Sequence, residues 1–96
     1  MKADPYADSY AELYRGFRWH VPRELNWFEL CCARWARRTP QATAVIAQDE
    51  SGAVTTHSYA DLHAQALRGA AALAALGVAR GERVAIVMPQ RFETAV

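Results

Sequence analysis

Ninety-six residues with a formal net charge of +1, 52% of them hydrophobic and 22% charged, form at most one domain and exclude an intrinsically disordered chain. A chain of this size buries only roughly 60 to 65% of its unfolded surface, so its core has little reserve. The near-neutral charge removes long-range attraction as a reason to bind nucleic acid or an anionic membrane.

The N-terminal stretch MKADPYADSY has no apolar signal core, and the longest apolar run, near 69–79, is too short to span a bilayer. A soluble, cytoplasmic protein is the expectation. Residues 1–8 read as a loose arm. Ser9 and Glu12 stand at capping-box spacing and predict a short helix over 11–15 that stops at Gly16. Residues 17–22 (FRWHVP) read as extended because Pro22 biases Val21 away from helix, which puts Phe17 and Trp19 on one side of the segment.

Asn26, with Glu29 three residues later, caps a second helix from Trp27 to about Arg38, closed by Thr39 and Pro40. Phe28, Cys31 or Cys32, and Trp35 share one face of it. Cys31 and Cys32 are the only cysteines; being adjacent, they cannot staple distant parts of the chain and have no metal-ligand spacing. They read as ordinary buried thiols on a helix in a reducing compartment, with a vicinal redox pair as the alternative. Arg34, Arg37 and Arg38 gather at the helix C-terminus, where cations complement the dipole, so a solvated basic end explains them without a phosphate ligand.

Residues 42–48 (ATAVIAQ) and 53–57 (AVTTH) read as two strands joined by the turn DESG, a hairpin with acidic and glycine turn chemistry. Ser58 then places a hydroxyl at a helix N-cap and Asp61 a carboxylate at N3, opening a long helix over 59–76. Leu62, Ala66, Ala70, Leu73 and Leu76 recur on one face, which predicts contact with a core. Gly77 supplies the left-handed stop, with Val78 folding back onto Leu73. After a turn through Ala79, Arg80 and Gly81, residues 83–88 (RVAIVM) lack polar alternation and predict a strand buried on both faces, as in a parallel sheet. Strand, helix and strand would make one right-handed βαβ unit. Beyond Pro89 and Gln90, Arg91 onward reads as the first turn of a further helix.

No constellation in the chain carries chemistry. The glycines at 16, 52, 69, 77 and 81 are dispersed, so no loop cradles phosphate. His20, His57 and His63 have no common ligand pattern and read as solvent-facing or locally bonded. Ser9, Ser51 and Ser58 are accounted for by caps and a turn. Asp61 and Glu82 are the most conspicuous carboxylates, each with a local job at a cap or turn, and the single lysine, Lys2, lies in the arm.

FRWHVPRELNWFELCCARWA, followed by DESGAVTTHSYADLHAQALRGAAALAALGVARGERVAIVMPQRFETAV, resembles the N-terminal region of bacterial AMP-forming acyl-CoA synthetases, members of the adenylate-forming superfamily. The most specific parts are SYADL, LGVARGERVAI and MPQRFETAV. The family more often has aspartate where Glu82 stands. VPRELNW favours acyl-CoA synthetases over the adenylation domains of peptide synthetases, which share a similar helix-turn-strand segment.

The resemblance implies an α/β fold of which residues 1–96 are an incomplete N-terminal piece of the AMP-binding (adenylation) domain: two N-terminal helices, a β-hairpin, a long helix and a buried parallel strand. It implies a ligase of fatty-acid metabolism that uses ATP and Mg2+ to convert a carboxylic acid into an acyl-adenylate, then transfers the acyl group to coenzyme A. The family's phosphate loop, adenylate motif, ribose-binding aspartate and catalytic lysine all lie downstream. The resemblance therefore assigns this chain no catalytic, cofactor-binding or metal-binding residue, and makes it scaffold whose partner is the rest of the synthetase. Two alternatives remain open at this point: a small stand-alone protein-interaction module derived from that fold, and the N-terminal part of a peptide-synthetase adenylation domain.

Overall fold

The computed structural model describes residues 5–96, with side chains from Ser9 onward. The arm expected over residues 1–8 is already helical from Pro5: helix α1 runs Pro5–Gly16. Proline suits a first helical position, since its missing N–H would have no partner there and its φ is preset. Ser9 is consequently an interior residue of α1 rather than its cap. Residues 1–4, and Lys2 with them, lie outside the described residues. Residues 17–22 form no regular element, and Phe17 packs edge-on against Trp19, with ring centroids 5.0 Å apart, instead of both rings lying on an apolar surface.

The second helix starts where its cap predicts: Glu29 N–H donates to Asn26 Oδ1 at 3.1 Å. It is not uniform, however. Glu29–Ala33 is π-helical, with Arg34 N–H reaching back five residues to Glu29 O, before helix α2 resumes over Arg34–Arg38. The wider turn brings the adjacent Cys32 and Ala33 to the buried side together, at 5% and 3% exposure, while Cys31 faces out. The shared face is thus Phe28, Cys32 and Trp35. Thr39 ends α2, donating its N–H to Trp35 O at 2.7 Å.

Strands β1 (Thr43–Gln48) and β2 (Val54–Ser58) pair antiparallel, with Ile46 opposite Thr56 and a register shift between Thr43 and Val45. Asp49 organises the turn between them: its Oδ1 accepts from Ser51 N–H at 2.8 Å and Ala53 N–H at 3.1 Å. Helix α3 (Tyr59–Ala75) follows β2 without a linker. Its first three N–H groups, which no helical carbonyl can satisfy, are all taken: Tyr59 donates to Ala42 O, Ala60 to Pro40 O and Asp61 to Ser58 Oγ. The entry to α3 is therefore clamped onto the start of β1.

Gly77 closes α3 at φ +88°, and the paired bonds Gly77 N–H to Ala74 O and Val78 N–H to Leu73 O make a Schellman motif. Nothing lies within 4 Å of a Cβ built there, so Gly77→Ala meets no clash and costs only left-handed backbone strain. We expect about 1 kcal/mol of lost helix stability, read as fraying of the last turn of α3 by amide exchange at Gly77 and Val78.

The core is confined to one end of α3. The π-helical turn and α2 pack on its N-terminal half, where Phe28 stacks on His63 at 5.3 Å and Trp35 lies 6.4 Å from Tyr59, with Leu62 and Ala66 half-buried. The expected apolar face stops there: Ala70, Leu73 and Leu76 are exposed because no element covers the second half of the helix.

The buried parallel strand expected over 83–88 does not form, nor does the βαβ unit built on it. The sheet has two strands, both of the hairpin, and residues 83–88 are in no ladder. Val84, Ile86 and Val87 are 57%, 65% and 94% exposed. Residues 83–88 pair with neither open edge of the two-stranded hairpin, and the physical reason is missing cover: a continuously apolar strand needs both faces packed, and no described element packs on these. The turn before it is as expected, with Gly81 at φ +87° and Glu82 Oε2 accepting from Ala79 N–H at 2.6 Å.

Candidate functional site

Where β2 passes into α3, His57 is the next-to-last residue of the strand, Ser58 ends it and caps the helix, and Asp61 sits on the helix's first turn. His57 Nδ1 lies 3.1 Å from Asp61 Oδ2, and its Nε2 lies 3.3 Å from Thr55 Oγ1. The carboxylate accepts from Nδ1–H, and in the neutral ring Nε2 then accepts from the threonine hydroxyl. The imidazole also stacks on Phe92, with centroids 3.7 Å apart and planes 7° from parallel. Phe92 opens a 3-10 turn, Phe92–Thr94, and is 9% exposed. Thr94 Oγ1 donates to Pro89 O at 3.1 Å, and Arg91 Nε pairs with Glu93 Oε2 at 2.9 Å. Strand, helix and final turn are thus fastened at one imidazole.

The arrangement fastens the last turn to the hairpin and to α3. Both ring nitrogens of His57 are engaged by side chains of the chain itself, and one ring face is covered by Phe92. Its chemistry is that of a clasp. Sequence reasoning placed His57 at the strand end and Asp61 at N3 but missed their pairing. The signal was present in the four-residue spacing across the Ser58 cap. Phe92 had no such signal, since its partner is 35 residues away in sequence.

Beside the clasp an open cleft of about 780 Å³ lies between the hairpin and residues 89–93. Its floor includes Ala47, Ala53 and Phe92, and its rim carries the carboxylates of Asp49, Glu50 and Glu93 with one guanidinium, Arg91, already paired to Glu93. Hydrogen bonds from Ser51 and from the Ala53 amide hold Asp49 below the usual carboxylate range. Backbone hydrogen bonding, chiefly from its own amide, and the nearby Arg91 lower Glu93. Carboxylates outnumber guanidinium groups at this cleft, a balance that disfavours a polyphosphate there. Among the described residues no group of three or more His, Cys, Asp and Glu side chains is placed to hold a metal ion.

The lowered Asp49 makes a pH prediction. Ionised Asp49 contributes stability to the hairpin above the unfolded-state pKa, and that contribution is lost as pH falls through the lower folded-state value. A carbon NMR titration is expected to give Asp49 a lower midpoint in the folded chain than in urea, with the Ser51 and Ala53 amide protons losing protection through the same range. Coincident midpoints would show that the turn bonds do not hold the carboxylate.

The basic end of α2 does not converge on a ligand either. Arg37 pairs with Glu29, whose pKa is lowered mainly by that hydrogen bond, and both side chains are exposed. Arg34 lies over the Trp35 ring at 4.7 Å, and its Nε is buried without a partner. Burial, with the neighbouring Cys31 thiol adding to it, pushes the Cys32 thiol up, so Cys32 is the less reactive form of a cysteine. Among the described residues no helix is long and apolar enough to cross a membrane.

The chain's relatives place it in a family. A sequence model of the family described as AMP-binding enzyme matches residues 32–96. The chain belongs to that family. It is 36% identical over 80 residues to the acetyl-coenzyme A synthetase of Thiobacillus denitrificans, covering 83% of this chain and 12% of that protein. It is 37% identical over 81 residues to the acetyl-coenzyme A synthetase of Cupriavidus pinatubonensis, again covering 83% of the chain and 12% of the relative. With the acetyl-coenzyme A synthetase of Pasteurella multocida it is 33% identical over 91 residues, 95% of the chain and 14% of the relative. The chain therefore spans about 12 to 14% of the length of the curated relatives it matches. No solved structure matches it.

Proposed function

We propose that this chain is the N-terminal structural piece of the AMP-binding domain of an acyl-CoA synthetase. The observation that carries the reading is its similarity, over 83% of its length, to proteins named acetyl-coenzyme A synthetase of which it spans only 12%. In that reading the whole polypeptide uses ATP, Mg2+ and coenzyme A to activate a carboxylic acid as its acyl-adenylate and then form the thioester. This segment supplies none of the reacting groups. Its work is to present α3 and residues 83–88 to the rest of the domain, where 83–88 become the buried parallel strand that their composition asks for. The cytoplasm is the compartment proposed, a setting in which the adjacent unbridged thiols of Cys31 and Cys32 are at home.

The exposed apolar side chains of 83–88 and of the second half of α3 support a piece completed by its own polypeptide over a self-sufficient interaction module. The test is ATP–pyrophosphate exchange by the protein expressed from its whole reading frame, with acetate, benzoate, medium-chain acids and amino acids offered in turn. Exchange driven by a simple carboxylic acid, followed by thioester formation with coenzyme A, is expected, and none from residues 1–96 alone. Exchange driven only by an amino acid would move the protein to peptide-synthetase adenylation. Exchange by the 96-residue chain itself would overturn its role as scaffold.

A further inference from the structure

The second helix holds one residue more than an α-helical path between its contacts would take, and the surplus falls at two adjacent cysteines. Both ends of that stretch are pinned. At the start Asn26 Oδ1 accepts from Glu29 N–H at 3.1 Å and Phe28 stacks on His63 at 5.3 Å. At the far end Trp35 lies 6.4 Å from Tyr59, and Arg37 reaches back on the exposed side to pair with Glu29. Between these points the π-helical turn Glu29–Ala33 takes up the surplus, because its bond from Arg34 N–H to Glu29 O spans five residues where an α-helical bond spans four.

In this register Cys32 fills the inner position at 5% exposure and Cys31 is outside. Moving the insertion one residue toward the C-terminus would place Cys31 inside and Cys32 outside. The inner side chain is a thiol in either case, so the move changes neither the buried volume nor the buried polarity, and the pinned ends stay where they are. Ala33, at 3% exposure, has no such twin, since its neighbours are Cys32 and Arg34. Two arrangements of nearly equal energy are what a population shift requires, and the repeated cysteine supplies them.

We propose that the π-helical turn Glu29–Ala33 is a two-register switch in which Cys31 and Cys32 exchange between the inner position and the surface. An adduct on either sulfur overfills the inner position and so holds the register in which that sulfur is outside. The switch therefore responds to thiol-reactive electrophiles. The inference does not depend on the acyl-CoA synthetase reading.

Iodoacetamide reads which sulfur is outside. The sulfur–carbon bond forms as iodide leaves and the thiol proton passes to the buffer, and a thiol whose pKa is raised by burial, as that of Cys32 is, reacts slowly. The protein expressed from its whole reading frame is labelled and the label located in the tryptic peptide 24–34, in the unmodified protein and in Cys31→Gln and Cys32→Gln. Glutamine takes the inner position only by burying an unpaired amide, so each variant is driven to the register that leaves its remaining thiol inside. That thiol should label at least about tenfold more slowly in both variants than Cys31 does in the unmodified protein, since labelling follows the open population. A fixed register gives an asymmetry instead, with Cys32 slow in Cys31→Gln but Cys31 still fast in Cys32→Gln. Fast Cys31 in Cys32→Gln overturns the switch, whether that variant folds or not. Slow labelling of both thiols in the unmodified protein overturns it as well, because the switch keeps one sulfur outside. Ala33→Gln, which no neighbour can replace, should abolish the ring-current shift between Phe28 and His63 that Cys32→Gln retains, and loss of that shift in both variants rejects the exchange.

Discussion

Heated alone, the 96-residue chain is expected to lose its helical circular dichroism gradually, without a sharp cooperative transition, and to bind the dye ANS at room temperature. The expectation follows from how little it buries. Cys32, Ala33 and Phe92 are its buried apolar residues among those described, none of them fully, while Leu67, Leu73, Leu76, Val84, Ile86 and Val87 are exposed. Its radius of gyration is 19.1 Å, against about 12 to 13 Å for a compact chain of this length. The caps and turn bonds that define α3 and the hairpin are local and survive without a core, so secondary structure should persist while fixed packing does not, the signature of a molten state. A monomer with a single sharp transition and no ANS binding would contradict this, and would favour the stand-alone module.

In the protein expressed from its whole reading frame, where packing is fixed, Phe92→Ala should have a large effect on the turn it opens. Its ring is buried against the His57 imidazole, and truncating a buried phenylalanine costs about 3 kcal/mol, which corresponds to a local opening equilibrium on the order of a hundredfold larger. The amides of Thr94 and Ala95, bonded to Arg91 O and Phe92 O, should then exchange at coil rates, and the ring-current shift of the His57 protons should vanish. His57→Phe separates stacking from hydrogen bonding. It keeps an aromatic face for Phe92 but loses the contacts to Asp61 and Thr55, and should cost about 1 kcal/mol. An equal effect from both substitutions would mean that the hydrogen bonds, rather than the stack, hold the last turn in place.

What could be read in the sequence was what short-range chemistry decides. Asn26, Ser58, Gly77 and Glu82 each bond within a few residues of themselves, and each stands where its residue type and spacing put it. The hairpin was legible for the same reason, with Asp49 and Gly52 carrying the turn. Three features escaped. The start of α1 at Pro5 was hidden by the stronger capping spacing of Ser9 and Glu12. The π-helical turn at Glu29–Ala33 has no pattern in side-chain type to announce it. The pairing of His57 with Phe92 spans two elements and depends on packing alone. Residues 83–88 were misjudged in a different way: their composition describes a buried strand, and burial is a property of neighbours, none of which cover it among the described residues. Family membership, by contrast, was legible from SYADL, LGVARGERVAI and MPQRFETAV, because local motifs around caps and turns are where the chain is most specific.

Hydrogen exchange at the amides of Val84, Ile86 and Met88 tests the scaffold account most directly, measured in residues 1–96 and again in the protein expressed from its whole reading frame. In the short chain these amides have no ladder and should exchange at coil rates. In the complete protein they should be protected by at least about a thousandfold, as expected of a central strand. Protection already present in the short chain, or coil-rate exchange in the complete protein, would contradict the account.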